Sequence, residues 1–315
     1  MYRRAIGIDL GGTQLRVALV DDTGTVLKRA ATRTDVPGGP RAVMAQFKAL
    51  VAEITEHEGL DRISGIGVCA PGPLDSTTGT FIHVPTLPGW EDFPLRDELA
   101  EALGTRVVVE GDAIAACYGE WHFGAGKGLR HLLYITVSTG IGGGVISDGR
   151  LLHGRRGMTS HVGHFRMAMN GPRCSCGAIG CFEAFAAGTA LDRRARQAAL
   201  DHPESLLARM VTPTAGDVVE AARQGDTVAS CLVDEEAGYL GEGLTSLIHL
   251  YSPERVIIGG GVSNGFDLME TRIHAAIRNT AMPSFRDVPV VKAGLGDNAG
   301  LVGAAALLLF DERGE

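Results

Sequence analysis

Long apolar runs are missing from this sequence of 315 residues. No stretch approaches the uninterrupted apolar length of about 18 residues that a membrane helix needs. The opening residues, MYRRAIGIDLGG, also lack the apolar segment of a signal peptide. We therefore expect a protein without a membrane partner, located in the cytoplasm.

Positive charge is scarce as well. The chain has 29 Lys and Arg residues against 37 Asp and Glu residues, which gives a formal net charge of −8. Binding to the phosphate backbone of nucleic acids needs a basic face, so we expect no nucleic-acid partner. The short basic run at Arg193, Arg194 and Arg196 is typical of a solvated helix face.

Cysteine is the third scarce component, with six residues in the whole chain. A chain of this length, 45% of it hydrophobic, buries a sufficient core without disulfides. Cys69, Cys117 and Cys231 stand singly in apolar stretches, where we expect buried thiols. The other three lie together in GPRCSCGAIGCFEAF, residues 171–185. In a reducing compartment such a cluster is more typical of a metal or catalytic site than of disulfides.

One pattern occurs in both halves of the chain. The strand-like run AIGIDL is followed by Gly-Gly-Thr and by a second alternating run, LRVALVD. HLLYITVSTGIGGGVISDGRLL repeats the order strand, glycine turn, strand. The repeat favours an ancient duplication that produced two similar α/β domains facing a cleft. We predict an N-terminal domain over 1–115, with a helix over about 300–315 packing back on it, and a second domain over 116–299.

Three glycine turns follow apolar strands: DLGGT at 9–13, STGIGGG at 138–144 and GGGVS at 259–263. Glycine lets backbone N–H groups approach an anion closely, so such turns bind phosphates. A single turn of this kind is more often an ordinary hairpin, but three of them favour phosphate binding. Neither GxxxxGK[ST] nor a GxGxxG that opens a helix is present, so we expect two facing hairpins to hold the phosphates.

These segments carry a family resemblance. DLGGT, STGIGGG and IIGGG are similar to the phosphate and adenosine segments of the actin, hexokinase and Hsp70 ATPase superfamily. HVGHFRMAMNGPRCSCGAIGCFEA, with its GHx9CxCGxxGCxE spacing, resembles the ROK family of bacterial sugar kinases and repressors. The resemblance runs from Ile6 through DNAGLVGAA at 297–305. It implies a two-domain α/β fold of the actin-like ATPase (ribonuclease H-like) type, with a cleft between the domains.

The cysteine cluster is predicted to bind zinc. His164, Cys174, Cys176 and Cys181 supply one imidazole and three thiolates, a closed tetrahedral set that suits structural Zn²⁺. The family resemblance implies that the metal braces a loop presenting sugar-binding residues, here His161 and Glu183. The alternative is that the reduced cysteines pack without metal.

The resemblance also implies the catalytic parts of an ATP- and Mg²⁺-dependent kinase. Asp112 follows an apolar strand and would be the general base that deprotonates the sugar hydroxyl; its alternative role is a helix N-cap. Asp9 would lie near Mg²⁺ and its waters; its alternative role is to hydrogen-bond the glycine turn. The residues expected to hold ATP phosphates are Gly11, Gly12, Thr13, Thr139, Gly140, Gly142 and Gly143. Gly259, Gly260 and Gly261 would lie by the nucleoside.

Sugar recognition is where the sequence departs from its relatives. ROK glucokinases usually carry Asn-Leu-x-Gly-Trp, Glu-Asn-Asp-Ala and Glu-x-Gly-His, whereas this chain has Thr86, Gly111 and His161 at the changed positions. A histidine at 161 resembles the N-acetylmannosamine kinases, so we rank N-acetylmannosamine slightly ahead of glucose and N-acetylglucosamine. The residues expected to contact the sugar are Gly72, Thr86, Gly111, Asp112, His161, His164 and Glu183.

The family resemblance also raises two other classes of function. A sugar-responsive ROK repressor needs an N-terminal DNA-binding domain, and the first kinase strand begins at about residue 5, so we do not expect one. A catalytically silent sugar-binding or regulatory protein is permitted by the altered sugar site but disfavoured by Asp112. Family analogy implies a homodimer or homotetramer.

Overall fold

The computed structural model describes residues 3–56, 60–84 and 86–310, which form two compact units. The first unit takes its described residues from Met1–Gly128, Arg150–Thr159 and Gly294–Glu315. The second comprises Leu129–Gly149 and Ser160–Ala293. In the described residues no helix has both the length and the apolar character to cross a membrane.

The first unit is built on a five-stranded sheet with the order β3-β2-β1-β4-β7. Its strands are β1 (Arg4–Leu10), β2 (Gln14–Asp21), β3 (Val26–Arg33), β4 (Ile66–Ala70) and β7 (Val107–Gly111). β1 and β2 are antiparallel around the first glycine turn, while β4 runs parallel to both β1 and β7. The apolar runs IGI and GVC therefore become buried central strands. A small hairpin joins β5 (Leu74–Asp75) to β6 (Thr80–Phe81).

The helices of the first unit are α1 (Gly39–Thr55), α2 (Leu95–Leu103), α3 (Asp112–Phe123) and α9 (Ala299–Leu309). α9 is buried almost throughout and packs against β1, β4 and α3. Glycines allow this close approach. A Cβ atom at Gly67 would lie 1.8 Å from the carbonyl oxygen of Ala304, and one at Gly303 would lie 1.8 Å from that of Ala115. The backbone of α9 thus lies directly on the sheet and on α3.

A buried carboxylate joins two segments beside α3. Glu120 is fully buried, and its Oε2 atom accepts N–H bonds from Ala125 at 2.8 Å and Gly294 at 3.0 Å. Its Oε1 atom accepts from Leu295 at 2.7 Å. Three backbone donors satisfy one charge, so Glu120 fixes the chain that leaves α3 against the chain that returns to the first unit.

In the second unit, the strands lie in the order β9-β8-β11-β12. They are β8 (Leu132–Val137), β9 (Ile141–Ser147), β11 (Arg255–Gly259) and β12 (Val290–Lys292), and the two-residue strand β10 (Arg150–Leu151) follows β9 in the chain. The helices are α4 (Phe182–Ala186), α5 (Gly188–Asp201), α6 (Ala215–Arg223), α7 (Thr227–Tyr251) and α8 (Phe266–Thr280). β8 and β9 are antiparallel around the second glycine turn, and β11 is parallel to β8.

The strand, glycine turn, strand pattern thus gives the same start to both sheets. The boundary predicted at residue 115 falls inside α3, and the first compact unit continues to Gly128. The last helix ends at Leu309, and residues 311–315 of the predicted final helix lie outside the described part. One expectation is wrong: Cys231 is exposed, because it lies on the solvent face of α7.

Candidate active site

Asp112 lies where β7 ends and α3 begins. Gly111 is the N-cap residue of α3, and Asp112 is its first helical residue, with Oδ1 accepting the N–H of Ala113 at 2.7 Å. The carboxyl end of a parallel strand is the usual edge for ligand binding in α/β sheets. Asp112 is exposed, so its carboxylate is free to meet a ligand.

Its surroundings make Asp112 a stronger base than an ordinary aspartate. Although the side chain reaches solvent, neighbouring protein atoms displace much of the water around its carboxylate. This loss of hydration raises the pKa of Asp112 to about 6. The N–H of Ala113 opposes the shift, and the negative charge of Asp9 adds to it. A carboxyl group with such a pKa is deprotonated at neutral pH and accepts a proton readily.

Asp9, near the end of β1, pairs with Arg16, its direct neighbour on β2. Arg16 Nε lies 3.0 Å from Asp9 Oδ2, and Nη2 contacts the same oxygen. Arg16 Nη1 also donates to the carbonyl oxygen of Asp297 at 2.9 Å. On the other side, burial and the Asp9 charge raise the pKa of the Cys69 thiol well above its usual range. Asp9 is therefore held in place and partly neutralised by Arg16.

The first glycine turn is tight and lies beside a residue of the predicted sugar set. Gly11 N–H donates to the carbonyl oxygen of Gln14 at 2.9 Å, and Thr34 donates its hydroxyl to Gly11 at 2.7 Å. A Cβ atom at Gly12 would lie 3.1 Å from the carbonyl oxygen of Thr86. The first unit thus brings together Gly12 and Thr86.

The second and third glycine turns meet in the second unit. Gly260 has a φ of +83°, and a Cβ atom there would lie 2.4 Å from the carbonyl oxygen of Val137, the last residue of β8. The next residue, Ser138, opens the second turn. A Cβ atom at Gly143 would lie 2.7 Å from the side chain of Val162. A side chain at either position would collide with neighbouring protein atoms, so packing alone requires glycine there.

Glu183, predicted to contact sugar, already has protein partners. Its Oε2 atom accepts the N–H of Ile141 at 3.0 Å, and its Oε1 atom accepts the hydroxyl of Ser175 at 2.9 Å. His161 is exposed, with its ring centroid 6.3 Å from that of His164. Partial burial lowers the pKa of His161, and the neighbouring His164 acts in the same direction.

Gly111 stands in open surroundings. Its φ of −63° and ψ of 142° suit any residue, and the nearest atom to a Cβ atom there would be Ile114 Cδ1 at 3.9 Å. The neighbouring Glu110 is fully buried, accepts the N–H of Gly111 at 2.9 Å and lies 3.4 Å from His153 Nδ1. The backbone does not require a glycine here, so the missing side chain leaves space beside Asp112.

The four predicted metal ligands converge. The donor atoms of His164, Cys174, Cys176 and Cys181 all lie within 4.8 Å of one another. The Sγ atoms of Cys176 and Cys181 are 3.7 Å apart, and Cys174 Sγ is 3.6 Å from His164 Nδ1. Ligands at about 2.3 Å from a tetrahedral zinc are separated by about 3.8 Å. The residues therefore fit a zinc ion.

Burial and the neighbouring thiols raise the pKa of Cys181 to about 12, and burial also raises that of Cys174. The N–H of Ala178 lowers the pKa of the exposed Cys176. Three thiolates in one place need a cation, because a metal charge is what keeps such ligands deprotonated.

Known proteins resemble this chain over nearly its whole length. The ROK family model matches residues 5–310. The chain belongs to the ROK family. It is 37% identical over 310 residues to the glucokinase of Thermotoga maritima, covering 97% of both chains. It is 30% identical over 302 residues to an N-acetylmannosamine kinase of Yersinia pestis, covering 96% of this chain and 97% of the relative.

A solved structure supports the same assignment. The ROK family glucokinase from Streptomyces griseus, in complex with glucose and AMPPNP, is 36% identical and superposes with a TM-score of 0.83. The match covers 96% of this chain and 98% of that one. The actin-like ATPase fold expected from the sequence is confirmed, and the chain is a ROK sugar kinase.

Three features of this ROK protein were not predicted from its sequence. Arg16 could have been found, because an antiparallel pair closed by a short turn places residue 16 opposite residue 9. The Glu110 and His153 pair joins residues 43 positions apart with no local signal. Ser175 lies between two predicted metal ligands, and the sequence does not indicate that its hydroxyl donates to Glu183.

Proposed function

We propose that the chain transfers the γ-phosphoryl group of ATP to the 6-hydroxyl of a hexose, with Asp112 as general base. The observation that carries this proposal is the exposed Asp112 carboxylate at the end of β7, with its pKa raised to about 6. Such a group accepts the hydroxyl proton while the sugar oxygen forms a bond to the γ-phosphorus. The bond between that phosphorus and the bridging oxygen breaks, and ADP leaves.

The remaining groups orient the reactants. Backbone N–H groups of the first and second glycine turns would hold the phosphates, and Gly259, Gly260 and Gly261 would lie by the nucleoside. Bound Mg²⁺ would neutralise phosphate charge, and Asp9 is the carboxylate that would hold its water ligands. Arg16 fixes the direction of Asp9.

We further propose a structural Zn²⁺ held by His164, Cys174, Cys176 and Cys181. The four ligands close the coordination sphere, so this ion supplies folding energy and no catalytic water. Family analogy supports a homodimer or homotetramer, which light scattering would test.

For the substrate, we place glucose first and N-acetylmannosamine second. Four relatives with 35 to 37% identity are glucokinases, against 30% for the N-acetylmannosamine kinase, which reverses the slight preference drawn from His161. Two observations keep the acetamido sugar as the second candidate. Partial burial lowers the pKa of His161 and so disfavours a charged ring, and Gly111 leaves space beside the proposed base for a bulkier substituent.

The test is a direct phosphorylation assay with glucose, N-acetylmannosamine, N-acetylglucosamine, mannose, fructose and allose. Glucose should give the highest kcat/KM. In Asp112→Asn, kcat should fall at least about 100-fold while ATP and sugar still bind, because the amide cannot accept the proton. No product with any hexose would instead support a silent sugar-binding protein.

A second experiment tests the role of His161. If the imidazole accommodates a 2-substituent, His161→Glu should move the ratio of kcat/KM values toward glucose by about 1 to 3 kcal/mol. A ratio that stays constant, or moves toward N-acetylmannosamine, would remove His161 as the selector and leave Thr86 and Gly111 to be tested.

A further inference from the structure

The second glycine turn is held by the segment that follows Cys181, the last of the three clustered cysteines. Glu183 accepts the N–H of Ile141 at 3.0 Å. At the start of α5, Gly188 N–H donates to the carbonyl oxygen of Ser138 at 2.7 Å, and the Thr189 hydroxyl donates to that of Thr139 at 2.8 Å. The turn proposed to hold phosphates therefore takes its shape from residues 183–189.

Glu183 also reaches the cysteine loop. Its Oε1 atom accepts the Ser175 hydroxyl at 2.9 Å and lies 3.5 Å from Cys174 Sγ. The carboxylate is pressed against the turn, since a Cβ atom at Gly140 would lie 2.5 Å from Glu183 Oε2. One half-buried side chain thus contacts the cysteine loop with one oxygen and the glycine turn with the other.

We propose that Glu183 is a positioning residue that couples the metal loop to nucleotide binding. The metal ligands Cys174 and Cys176 flank Ser175, so a bound metal fixes the direction of the Ser175 hydroxyl. That hydroxyl holds Glu183, and Glu183 holds the Ile141 amide and the turn around it. Loss of the metal then weakens the binding of nucleotide, in addition to any effect on sugar. The nucleotide part rests on the proposed function.

The coupling itself is tested without any ligand, by hydrogen exchange of the Ile141 amide. Ser175→Ala should keep the metal, because no ligand atom is changed, yet Ile141 should exchange about 2- to 10-fold faster, as expected for one lost hydrogen bond. Ser175→Thr, which keeps a hydroxyl, should restore protection. Ser230→Ala, an exposed serine on α7, is the matched control and should exchange like wild type. Equal protection of Ile141 in Ser175→Ala and wild type would overturn the coupling.

Metal removal provides the second arm. Treatment with a chelator should speed exchange at Ile141 in wild type, and added Zn²⁺ should reverse this. In Glu183→Ala the amide should already exchange fast, and chelation should change it no further. A chelator effect of the same size in both proteins would show that the metal does not act through Glu183. Wild-type protein that carries no metal and does not bind added Zn²⁺ would overturn the metal step.

Calorimetry with AMPPNP and Mg²⁺, in the absence of sugar, extends the test to function. Its dissociation constant should rise about 2- to 10-fold in Ser175→Ala and by a similar factor on chelation of wild type. Faster exchange with an unchanged dissociation constant would overturn the link to nucleotide while sparing the proposed kinase. Wild type that binds no AMPPNP would defeat the proposed function, and with it the nucleotide link, while the exchange measurement still decides the coupling.

Discussion

Lowering the pH should protonate Asp112 and reduce the rate of phosphoryl transfer. The proposed base must be deprotonated to accept the hydroxyl proton, and its pKa is raised to about 6 by loss of hydration and by Asp9. Activity should therefore fall as the pH drops through that value. The free-enzyme parameter kcat/KM reports this ionisation.

The size of the fall follows from the raised pKa. At pH 7 about nine-tenths of the Asp112 carboxyl groups are deprotonated, and at pH 5 about one-tenth are, so kcat/KM should fall about tenfold. With the ordinary value of 3.8, the fall over the same interval would be less than about a tenth. The two cases are easily separated.

A direct assay that separates sugar phosphate by chromatography avoids the pH sensitivity of coupling enzymes. ATP itself titrates in this range, so the residual rate of Asp112→Asn is the control: it contains the ATP ionisation but not that of Asp112. A wild-type profile that is flat between pH 7 and pH 5, or an equal acid limb in Asp112→Asn, would refute the reasoning.

Stability should change in the opposite sense to activity. A carboxyl group whose folded pKa lies above its unfolded pKa favours folding at low pH, and this contribution is lost as the pH rises through the folded value. Replacing the charge in Asp112→Asn should thus raise the Tm relative to wild type at pH 8. The difference should shrink as the pH falls below about 6.

Three further variants test other parts of the molecule. Wild-type protein should contain about one Zn²⁺ per chain, and Cys176→Ser should lose this metal together with thermal stability; metal analysis showing no zinc in wild type, or equal zinc in both proteins, would contradict the site. Gly67→Ala should destabilise the fold by about 3 kcal/mol or more in urea unfolding, because its Cβ atom would lie 1.8 Å from a carbonyl oxygen of α9, whereas Gly216→Ala on α6 should cost nothing. Glu120→Gln should cost about 2 to 3 kcal/mol, since an amide cannot accept at both atoms, and the exposed Glu242→Gln should be neutral; equal stabilities would mean that the buried carboxylate is not needed.

Features that depend on a single short segment of the chain could be predicted from the sequence. The repeated strand and glycine pattern predicts two similar sheets, because a period of two and a glycine turn are local properties. The cysteine spacing likewise predicts a metal site, and the four donor atoms of the predicted ligands converge in the structure. The position of Asp112 at the end of a strand was also predictable, because the apolar run that precedes it is a local signal.

Residues joined across the fold were harder to predict. Glu120 accepts hydrogen bonds from backbone amides 174 and 175 positions away, and nothing in its helix indicates this. The compact units also differ from the predicted segments, since the chain returns to the first unit at Arg150–Thr159 as well as at its last helix. Such returns depend on which surfaces fit together, which a pattern along the chain does not record.

The position of α9 has a consequence for how the protein is made. β1 and β4 are translated long before the helix that covers them, because β4 ends at Ala70 and that helix begins only at Ala299. The second unit takes its residues from Leu129–Gly149 and Ser160–Ala293. It can fold before α9 has been made and has packed on the sheet of the first unit. During that interval the glycine-lined surface at Gly7 and Gly67 is open to chaperones or to another nascent chain. We expect this interval during synthesis to be the period of greatest risk for aggregation.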